Sequence, residues 1–498
     1  MNVNPITRLD YPDPDVIRVE DTYYMVFTTM HFMPGCEILQ SFDLVHWEHV
    51  TYVYETLDHT DAQQLKSGQN IYGQGMWAAS LRYHEGRFYI CFVANDTRKT
   101  YLYTSEKIDG PWKKQLIEGF YHDGSLLFDE DGRNYIVYGN DEIWITELNE
   151  DLTAPKKDGL HRLLVSDHKN PELGYEGSHI QKINGYYYIF LIHSLRDRWM
   201  RTEACFYSDS LEGEFTGGDV LCDDRGYCGQ GVAQGGIVDT PDGKWYAMLF
   251  QDSGAVGRIP ILVPVTWKDH FPVFLQNGHV PEEIEVHSTR PGYIYQPLVG
   301  SDDFCNGLLP RWQFNHDPDP RYYHLDALQG TYTITTREVC TELTQAVNTL
   351  TQRMSYPSCA AEVTVDASAL KEGDVAGLCA LQSCYAAVGI TKHHGKYEVL
   401  MLDKKEDGIL DMTEGTVVES HQMDFRLEAD FCNMKDEARC YYRVNKGDWL
   451  PIGNVHKLYF KLDHFTGCRF GLFCYAAEET GGSACFRDFK YYDVDEIS

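Results

Sequence analysis

The chain has 498 residues, which is enough for two or three domains with large hydrophobic cores. Its formal net charge of −32 argues against nucleic acid or an anionic membrane surface as a partner, because both attract Lys and Arg. No apolar run approaches the roughly 18 residues of a membrane-spanning helix. Aromatic residues make up 13% of the chain and helical periodicity is scarce, so the sequence favours an all-β protein.

The first distinctive stretch reads Tyr-Pro-Asp-Pro-Asp at residues 11–15. Pro12 and Pro14 restrict the backbone on both sides of Asp13. Taken alone, such an Asp is more often a turn residue that accepts backbone N–H groups. The stretch gains significance because it begins a pattern that recurs along the chain.

The pattern consists of a polar or aromatic residue, an apolar run, a turn and a strand that contains a closing tyrosine. The five starting residues are Asp13, Trp77, Asp123, Glu176 and Gln234. The five closing residues are Tyr24, Tyr89, Tyr135, Tyr188 and Tyr246. Each interval between closing tyrosines has the length of a four-stranded blade, so the repeat predicts a five-bladed β-propeller. Because the first strand of each blade lines the central channel, we expect the five starting residues to converge at one end of it.

The repeat predicts a propeller domain over residues 1–290. A segment containing Pro and Gly then predicts a linker over 291–301, and alternating apolar runs predict a β-sandwich over 302–498. The 15 cysteines include no Cys-x-x-Cys pair of the kind that binds metals, and no basic and hydrophobic leader is evident at the start. We therefore expect reduced, mostly buried thiols and a cytoplasmic protein.

Three carboxylates, one indole and one amide at a channel mouth suit the cleavage of a glycosidic bond. One carboxyl group donates a proton to the leaving oxygen, and an ionised one activates water or attacks directly. The sequence has no phosphate-binding glycine loop, no His-Glu-x-x-His and no Gly-x-Ser-x-Gly elbow. Two other interpretations stay open at this point: acids that hold a Ca²⁺ ion, and a propeller that only binds carbohydrate.

Five short motifs resemble those of glycoside hydrolase family 43. They are Tyr-Pro-Asp-Pro at 11–14, Trp-Ala at 77–78, His-Asp-Gly-Ser at 122–125, Tyr-Glu-Gly at 175–177 and the segment from Gly257 to Trp267. The part after residue 301 is similar to the concanavalin-like jelly roll that follows the propeller in the family's xylosidases and arabinofuranosidases. The segments that carry this similarity are 302–304, 312–316, 350–353 and 373–378.

The resemblance implies Asp13 as general base, Glu176 as general acid and Asp123 as the residue that tunes and orients Glu176. It implies substrate contacts by Arg258, His31 and Phe32, and the indole of Trp77 offers an apolar face for a sugar ring. Gln234 departs from the family pattern and is a further candidate for a substrate contact, with a place in the blade core as the alternative. Many family members have His, often near a central ion or water, where this chain has Gln234. Gln is a poorer metal ligand than His, so we expect no required cofactor; a structural calcium ion is possible but is not indicated by the sequence.

The predicted function is an exo-acting glycosidase that inverts configuration and releases terminal α-L-arabinofuranose or β-D-xylose from hemicellulose-derived oligosaccharides. Its partner is then a small oligosaccharide, and the sequence leaves open whether the chain forms a homo-oligomer. A five-bladed fructan hydrolase that retains configuration is one alternative, although the Asn-Asp-Pro-Asn-Gly motif expected there is absent. A carbohydrate-binding propeller without turnover is the other.

Overall fold

The computed structural model describes residues 2–274, 278–413 and 415–493. Strands dominate these ranges, and the helices in them are 3₁₀ turns at Lys66–Gly68, Gly254–Val256, Leu343–Gln345 and Cys432–Met434. None of the described helices is long and apolar enough to cross a membrane. The outer ends of the two predicted domains, residue 1 and residues 494–498, lie outside the described residues.

Five antiparallel sheets form the blades, which confirms the five-bladed propeller. Blade 1 contains Asp15–Val19, Thr22–Val26, Gly35–Ser41 and Glu48–Tyr54. Blade 2 contains Met76–His84, Arg87–Ala94, Lys99–Ser105 and Lys113–Ile117. Blade 3 contains Ser125–Phe128, Asn134–Asn140, Glu142–Leu148 and His161–Ser166. Blade 4 contains Glu176–Ile183, Tyr186–Ser194, Arg201–Ser208 and Thr216–Leu221. Blade 5 contains Val232–Ala233, Ile237–Asp239, Trp245–Asp252, Arg258–Lys268 and Phe271–Val273.

Hydrogen bonds between neighbouring inner strands hold the channel together. Polar side chains near the starts of these strands accept backbone N–H groups from the next blade. The bonds run from Leu81 N to Asp15 Oδ2 (2.7 Å), from Leu126 N to Ser80 Oγ (3.1 Å) and from Ile180 N to Ser125 Oγ (3.0 Å). Because these bonds fix one blade against the next, the residues just before each inner strand are held at defined places around the channel mouth.

The remaining chain forms a β-sandwich of two antiparallel sheets. One sheet contains, in order, Leu410–Met412, Lys396–Lys404, Ala386–His393, Val375–Leu381, Arg469–Tyr475, Leu350–Arg353, Gln313–Asn315 and Phe32–Met33, with Thr416–Val418 also paired to Lys396–Lys404. The other contains Tyr323–Asp326, Thr331–Thr335, Ser483–Asp493, Ser358–Asp366, Gln422–Asp430, Glu437–Arg443 and Leu450–Lys457. Alternate apolar side chains of both sheets, among them Leu378, Phe425 and Phe470, fill the core between them.

The two parts of the molecule share both a sheet and a core. Phe32–Met33 belongs to the propeller sequence, yet it pairs with Gln313–Asn315 at the edge of the sandwich. Ala255 and Val256 of blade 5 pack into the sandwich core. The buried Arg353 completes the junction, because its guanidinium binds Glu37 at 3.1 Å. These contacts place a face of the sandwich against the channel mouth.

A short two-stranded sheet pairs the first described residues with the end of the propeller sequence. Asn2–Val3 pairs with Glu283–Ile284. The side chain of Asn4 continues this junction, since its amide donates to Leu262 O at 2.9 Å. The start of the chain is therefore fixed to blade 5 shortly before it reaches Asp13.

Candidate active site

Five residues with left-handed backbone conformations surround the channel mouth. They are Asp13 (φ 55°), Ala78 (φ 31°), Asp123 (φ 48°), Gly177 (φ 65°) and Gln234 (φ 62°). Each lies four residues before the inner-strand residue that pairs with a closing tyrosine. These five are therefore the equivalent positions of the blades. A left-handed conformation is costly for residues with a side chain, and such strain is concentrated at functional sites.

The repeat register predicted from sequence is one residue off in blades 2 and 4. There the starting residues Trp77 and Glu176 immediately precede the equivalent positions, which are Ala78 and Gly177. The cause is the following hairpin, because the closing tyrosine lies seven residues after its pairing partner in blades 2 and 4 but eight residues after it in blades 3 and 5. A β-bulge also lies in the inner strand of blades 2 and 4, between Trp77 and Ser80 and between Glu176 and His179. The extra residue at a bulge redirects the neighbouring side chain. Trp77 and Glu176 therefore occupy the position that His122 occupies in blade 3.

Asp13 is held in a fixed orientation by two side chains. Arg258 donates from Nη1 to Asp13 Oδ1 at 2.9 Å, and Thr28 donates from Oγ1 to Asp13 Oδ2. The Thr28 hydroxyl also accepts the backbone N–H of Ala78 at 2.8 Å, which ties blade 1 to blade 2. Asp13 is 7% exposed. Both carboxylate oxygens thus have fixed directions, and a general base needs such a fixed position.

The other two acids meet around His122. The backbone N–H of Gly177 donates to Asp123 Oδ2 at 2.8 Å. The Nε2 atom of His122 lies 3.5 Å from that oxygen and 3.6 Å from Glu176 Oε2. Asn140 donates to the same Glu176 oxygen at 2.7 Å. Glu176 is thus held between an amide and a ring nitrogen, with Asp123 as its close neighbour.

The charges in this cluster shift two pKa values. Burial raises the pKa of Asp123, and Glu176 and Asp13 raise it further against the lowering effect of His122, so that it reaches about 6. Burial alone would lower the pKa of His122, but Asp123 and Glu176 outweigh burial and raise it to about 9. His122 is therefore a cation at neutral pH and Asp123 is close to its titration point.

His122, Asp123 and Glu176 also form a group with the spacing of metal ligands, because their ligand atoms lie within 4.8 Å of one another. Metal binding requires a neutral imidazole. The pKa of about 9 puts a proton on His122 at neutral pH. A metal ion bound here would therefore have to displace the proton of His122.

Trp77 and Arg258 form one wall of the mouth with a residue of the sandwich. The Phe465 ring lies 5.3 Å from the Trp77 ring, and the Arg258 guanidinium lies 4.4 Å from the Phe465 ring centre. The buried donors Trp77 Nε1, Arg258 Nε and Arg258 Nη2 have no partner within the protein. Buried N–H groups of this kind are rarely left unpaired, and sugar hydroxyls are suitable acceptors.

Asp10 fixes both components of this wall. Its Oδ1 accepts the backbone N–H of Arg258 at 2.7 Å, and its Oδ2 accepts that of Gly467 at 2.8 Å. Gly257, with φ 105°, lies so close that a Cβ atom there would be 2.3 Å from Asp10 Oδ1. One carboxylate thus joins the arginine of blade 5 to the sandwich loop that carries Phe465.

His31 and Phe32 lie within the junction between the two domains. Both are almost completely buried. His31 contacts His316 and His464, with ring centres 4.7 Å and 5.2 Å away, and its Nε2 lies 3.0 Å from Asn315 Oδ1. Burial lowers the pKa of His464 to about 3, and Arg469 lowers it as well, so the cluster is neutral. The Arg469 guanidinium lies 3.4 Å from the Phe32 ring centre.

Gln234 lies at the mouth, where it lines a small cavity together with Asp13 and Asp123. Its side chain packs against Gly177, and a Cβ atom at Gly177 would come within 2.7 Å of it. Its backbone N–H donates to Glu203 Oε2 at 2.7 Å. Gln234 therefore supports the peptide that follows Glu176.

Four further residues of the site had no role predicted from the sequence: His122, Asn140, Thr28 and Phe465. His122 stands inside the quoted motif at 122–125, and its position beside Asp123 was the available signal. Phe465 could not be found in this way, because it reaches the site only through the packing of the sandwich on the propeller.

The model of glycosyl hydrolases family 43 matches residues 3–272. The chain belongs to this family. As a family member it is a glycosidase that hydrolyses O-glycosyl bonds. The model of the β-xylosidase C-terminal concanavalin A-like domain matches residues 301–492, which confirms the concanavalin-like character of the sandwich.

The solved structure of a bifunctional GH43-CE protein of Bacteroides eggerthii has a TM-score of 0.93 and 42% sequence identity to this chain. The match covers 100% of this chain and 64% of that protein, so this family 43 chain spans about two thirds of that protein's length. A β-xylosidase of Formosa agariphila is 26% identical, over 99% of this chain and 89% of its own length. A xylosidase/arabinosidase of Butyrivibrio fibrisolvens is 24% identical over 99% of each chain.

Proposed function

We propose that this protein is an exo-acting, inverting glycosidase that removes a terminal pentose from hemicellulose-derived oligosaccharides. The observation that carries the proposal is the grouping of Asp13, Asp123 and Glu176 at one mouth, beside the unpartnered donors of Trp77 and Arg258. Paired carboxylates across a sugar-binding site are what glycoside hydrolysis needs. Family 43 enzymes act by a single displacement with inversion, and this mechanism extends to a member with these acids.

Each acid takes one role in the proposed reaction. Asp13, beside Arg258, removes a proton from the attacking water, and Glu176 protonates the leaving oxygen. Asp123 acts through its neighbours, since it binds the N–H of Gly177 and faces the His122 cation. An inverting reaction needs room for water between base and sugar, so we expect the Asp13 and Glu176 carboxyl groups to be roughly 6.5–9.5 Å apart.

Exo action follows from the position of the sandwich loop. Phe465 contacts both Trp77 and Arg258, so this loop closes one side of the mouth. A closed mouth accepts the end of a chain and excludes its middle. We assign Trp77, Arg258 and Gln234 to the pocket, and we assign His31 and Phe32 to the junction that holds the sandwich in place.

The proposed substrates are α-L-arabinofuranosides and β-D-xylosides. The names of the relatives support both, as a β-xylosidase and a xylosidase/arabinosidase match along almost the whole chain. The test is a panel of p-nitrophenyl glycosides that includes both pentosides and matching hexosides. Release of p-nitrophenol from at least one pentoside, and much less from the hexosides, supports the proposal. Binding of a pentoside without turnover would replace it with a carbohydrate-binding propeller.

We further propose that the reaction needs no cofactor. The cations His122 and Arg258 already stand beside the acids. Activity that survives dialysis against EDTA supports this proposal, and loss of activity that calcium restores would overturn it.

We infer a reducing, cytoplasmic compartment from the thiols. All 15 cysteines are free, and Cys222, Cys228, Cys305 and Cys432 are exposed. Free thiols at the surface persist best where glutathione and thioredoxin keep them reduced. Fractionation of the source cells, with activity recovered outside the cytoplasm, would overturn this inference.

A further inference from the structure

Trp199 differs from the other tryptophans in its exposure. The structure describes all nine tryptophans. Trp199 has 43% of its surface exposed, and the other eight are buried or half-buried. It lies in the turn 195–200, between strands Tyr186–Ser194 and Arg201–Ser208 of blade 4. An indole ring offers a flat apolar face together with an N–H donor, and Trp is enriched at binding surfaces for this reason.

The turn that carries Trp199 stands at the catalytic end of blade 4. Glu176 pairs with Ile192, which is two residues before the strand ends at Ser194. The backbone N–H of Ser194 donates to Leu173 O at 3.0 Å, in the segment that leads to Glu176. Trp199 therefore stands on the rim of the mouth at which the general acid lies.

The turn and the ring are fixed by specific contacts. The backbone N–H of Met200 donates to Ser194 Oγ at 2.8 Å, and that of Leu195 donates to Met200 O at 3.1 Å. The Arg201 guanidinium lies 5.3 Å from the Trp199 ring centre, and its Nε lies 2.8 Å from Asp252 Oδ2. A ring that is already ordered loses little conformational entropy when a ligand binds to it.

Arg201 connects Trp199 to Arg258 through a row of contacts between guanidinium groups and aromatic rings. The Arg201 guanidinium is 5.2 Å from the Phe250 ring centre, and the Arg258 guanidinium is 5.5 Å from the same ring. Arg258 in turn binds Asp13. Phe250 is fully buried, so this row of contacts lies beneath the surface and fixes the position of Trp199 relative to the pocket. Trp199 stands on the blade that carries Glu176, the residue beside the leaving oxygen, which places its exposed ring on the leaving-group side of the mouth.

We propose that Trp199, supported by Arg201, binds a sugar ring on the leaving-group side of the scissile bond. The ligand class is a neutral pyranose of the oligosaccharide chain, whose C–H face packs on a flat aromatic ring. This inference rests on the proposed function and adds the preference for an oligosaccharide over a simple glycoside. The terminal pentose itself is bound elsewhere, at Trp77 and Arg258.

The test compares two substrates with the same terminal pentose. One is the pentosyl fluoride, whose leaving group has no ring, and the other is the corresponding trisaccharide. For Trp199→Ala we expect the KM for the trisaccharide to rise roughly two- to tenfold, the effect of losing one ring contact. Hydrolysis of the fluoride is expected to stay unchanged. Trp199→Phe keeps a ring and is expected to lie between the wild type and Trp199→Ala.

Tyr83 provides the matched control. It is 45% exposed, like Trp199, but it lines the cavity at the opposite end of the channel together with Arg18 and Trp245. Tyr83→Ala is expected to change neither substrate's kinetics. An equal fall of kcat/KM for both substrates in Trp199→Ala, or no change for either, would overturn the proposal. Wild-type protein that cleaves neither substrate would overturn the proposed function instead.

Discussion

The mouth and the interior of the propeller channel both contain buried charges, but in the described part of the chain the charges of these two groups are incompletely paired only at the mouth. Within the channel, Asp15 binds Leu81 N, Arg82 Nη1 at 2.8 Å and His179 Nδ1 at 3.2 Å. Burial would raise the pKa of Asp15, but Arg82 and His179 hold it below its usual value. The N–H groups of Arg82 are taken up by five acceptors, among them Ser125 Oγ at 2.7 Å.

At the mouth the pattern is different. Asp123 has a pKa raised to about 6, and Arg258 retains two buried nitrogen atoms without a partner. A fully satisfied network stabilises the fold, whereas unpaired donors and a carboxyl group near its titration point are available for ligand and proton. The reactive part of this channel is therefore recognised by incompletely paired polar groups and not by the number of buried charges.

The largest effect is expected from Asp13→Asn. This change removes the general base while keeping the shape of the side chain, so kcat should fall roughly 10²- to 10⁴-fold. The variant should remain folded, because the Asn side chain can accept from Arg258 with its oxygen and donate to the Thr28 hydroxyl with its amide. The melting temperature should still fall, because the buried Arg258 loses its carboxylate partner. Steady-state kinetics of the purified variant provide the test. Retention of more than about a tenth of the activity would remove Asp13 from its role.

The loss of activity in Glu176→Ala is expected to depend on the leaving group of the substrate. Without the acid, a sugar leaving group cannot be protonated, and oligosaccharide hydrolysis should fall by about 10²-fold or more. A pentosyl fluoride needs less protonation and should be affected much less. Equal losses on both substrates would contradict the assignment of Glu176 as the acid.

Asp15→Asn makes the same chemical change two residues from Asp13 and should have the opposite consequence. Removing one partner of a buried ion pair costs roughly 3–5 kcal/mol, so the urea midpoint should fall strongly. The folded variant should lose far less turnover than Asp13→Asn does. An inactive variant of normal stability would contradict the distinction between the mouth of the channel and its interior.

His122→Ala should have the smallest effect and should change the pH dependence. Loss of the cation raises the pKa of Asp123 further, so the acid limb of kcat/KM should move to higher pH. The free energy of unfolding of the wild type should also depend on pH, in the direction set by the raised pKa of His122. Because the pKa of His122 is raised from 6.5 to about 9, its stabilising contribution is complete below pH 6.5 and is lost as the pH rises through 9.

The measurement for His122→Ala is a pH–rate profile together with urea unfolding at pH 6 and pH 9. The variant should differ from the wild type more at pH 6 than at pH 9. An unchanged acid limb, or a larger stability difference at pH 9, would show that His122 does not control the charge of the cluster.

Much of the fold followed from the sequence, because blade repeats are local and each copy contains its own strand and turn signals. The identities of Asp13, Asp123 and Glu176 were accessible for the same reason. The one-residue error at Trp77 and Glu176 arose because the same spacing to the closing tyrosine was applied to blades 2 to 5, whereas the hairpins of blades 2 and 4 are one residue shorter between the paired positions than those of blades 3 and 5.

Other parts of the site depend on contacts between distant segments. Phe465 lies at the mouth because Gly467 binds Asp10, and the two residues of this pair are 457 positions apart. His31 was assigned to substrate from the resemblance, but its place beside His316 and His464 depends on the docking of the sandwich. No pattern within one segment carries such information.

The most direct test of the central claim is ¹H NMR of the first sugar released from a pentoside that the wild type hydrolyses. Asp13 as a base acting on water requires a single displacement, so the first-formed pentose should have the anomeric configuration opposite to that of the substrate. Mutarotation should then produce the other anomer. A first product with the substrate's own configuration would contradict both the mechanism and the role of Asp13.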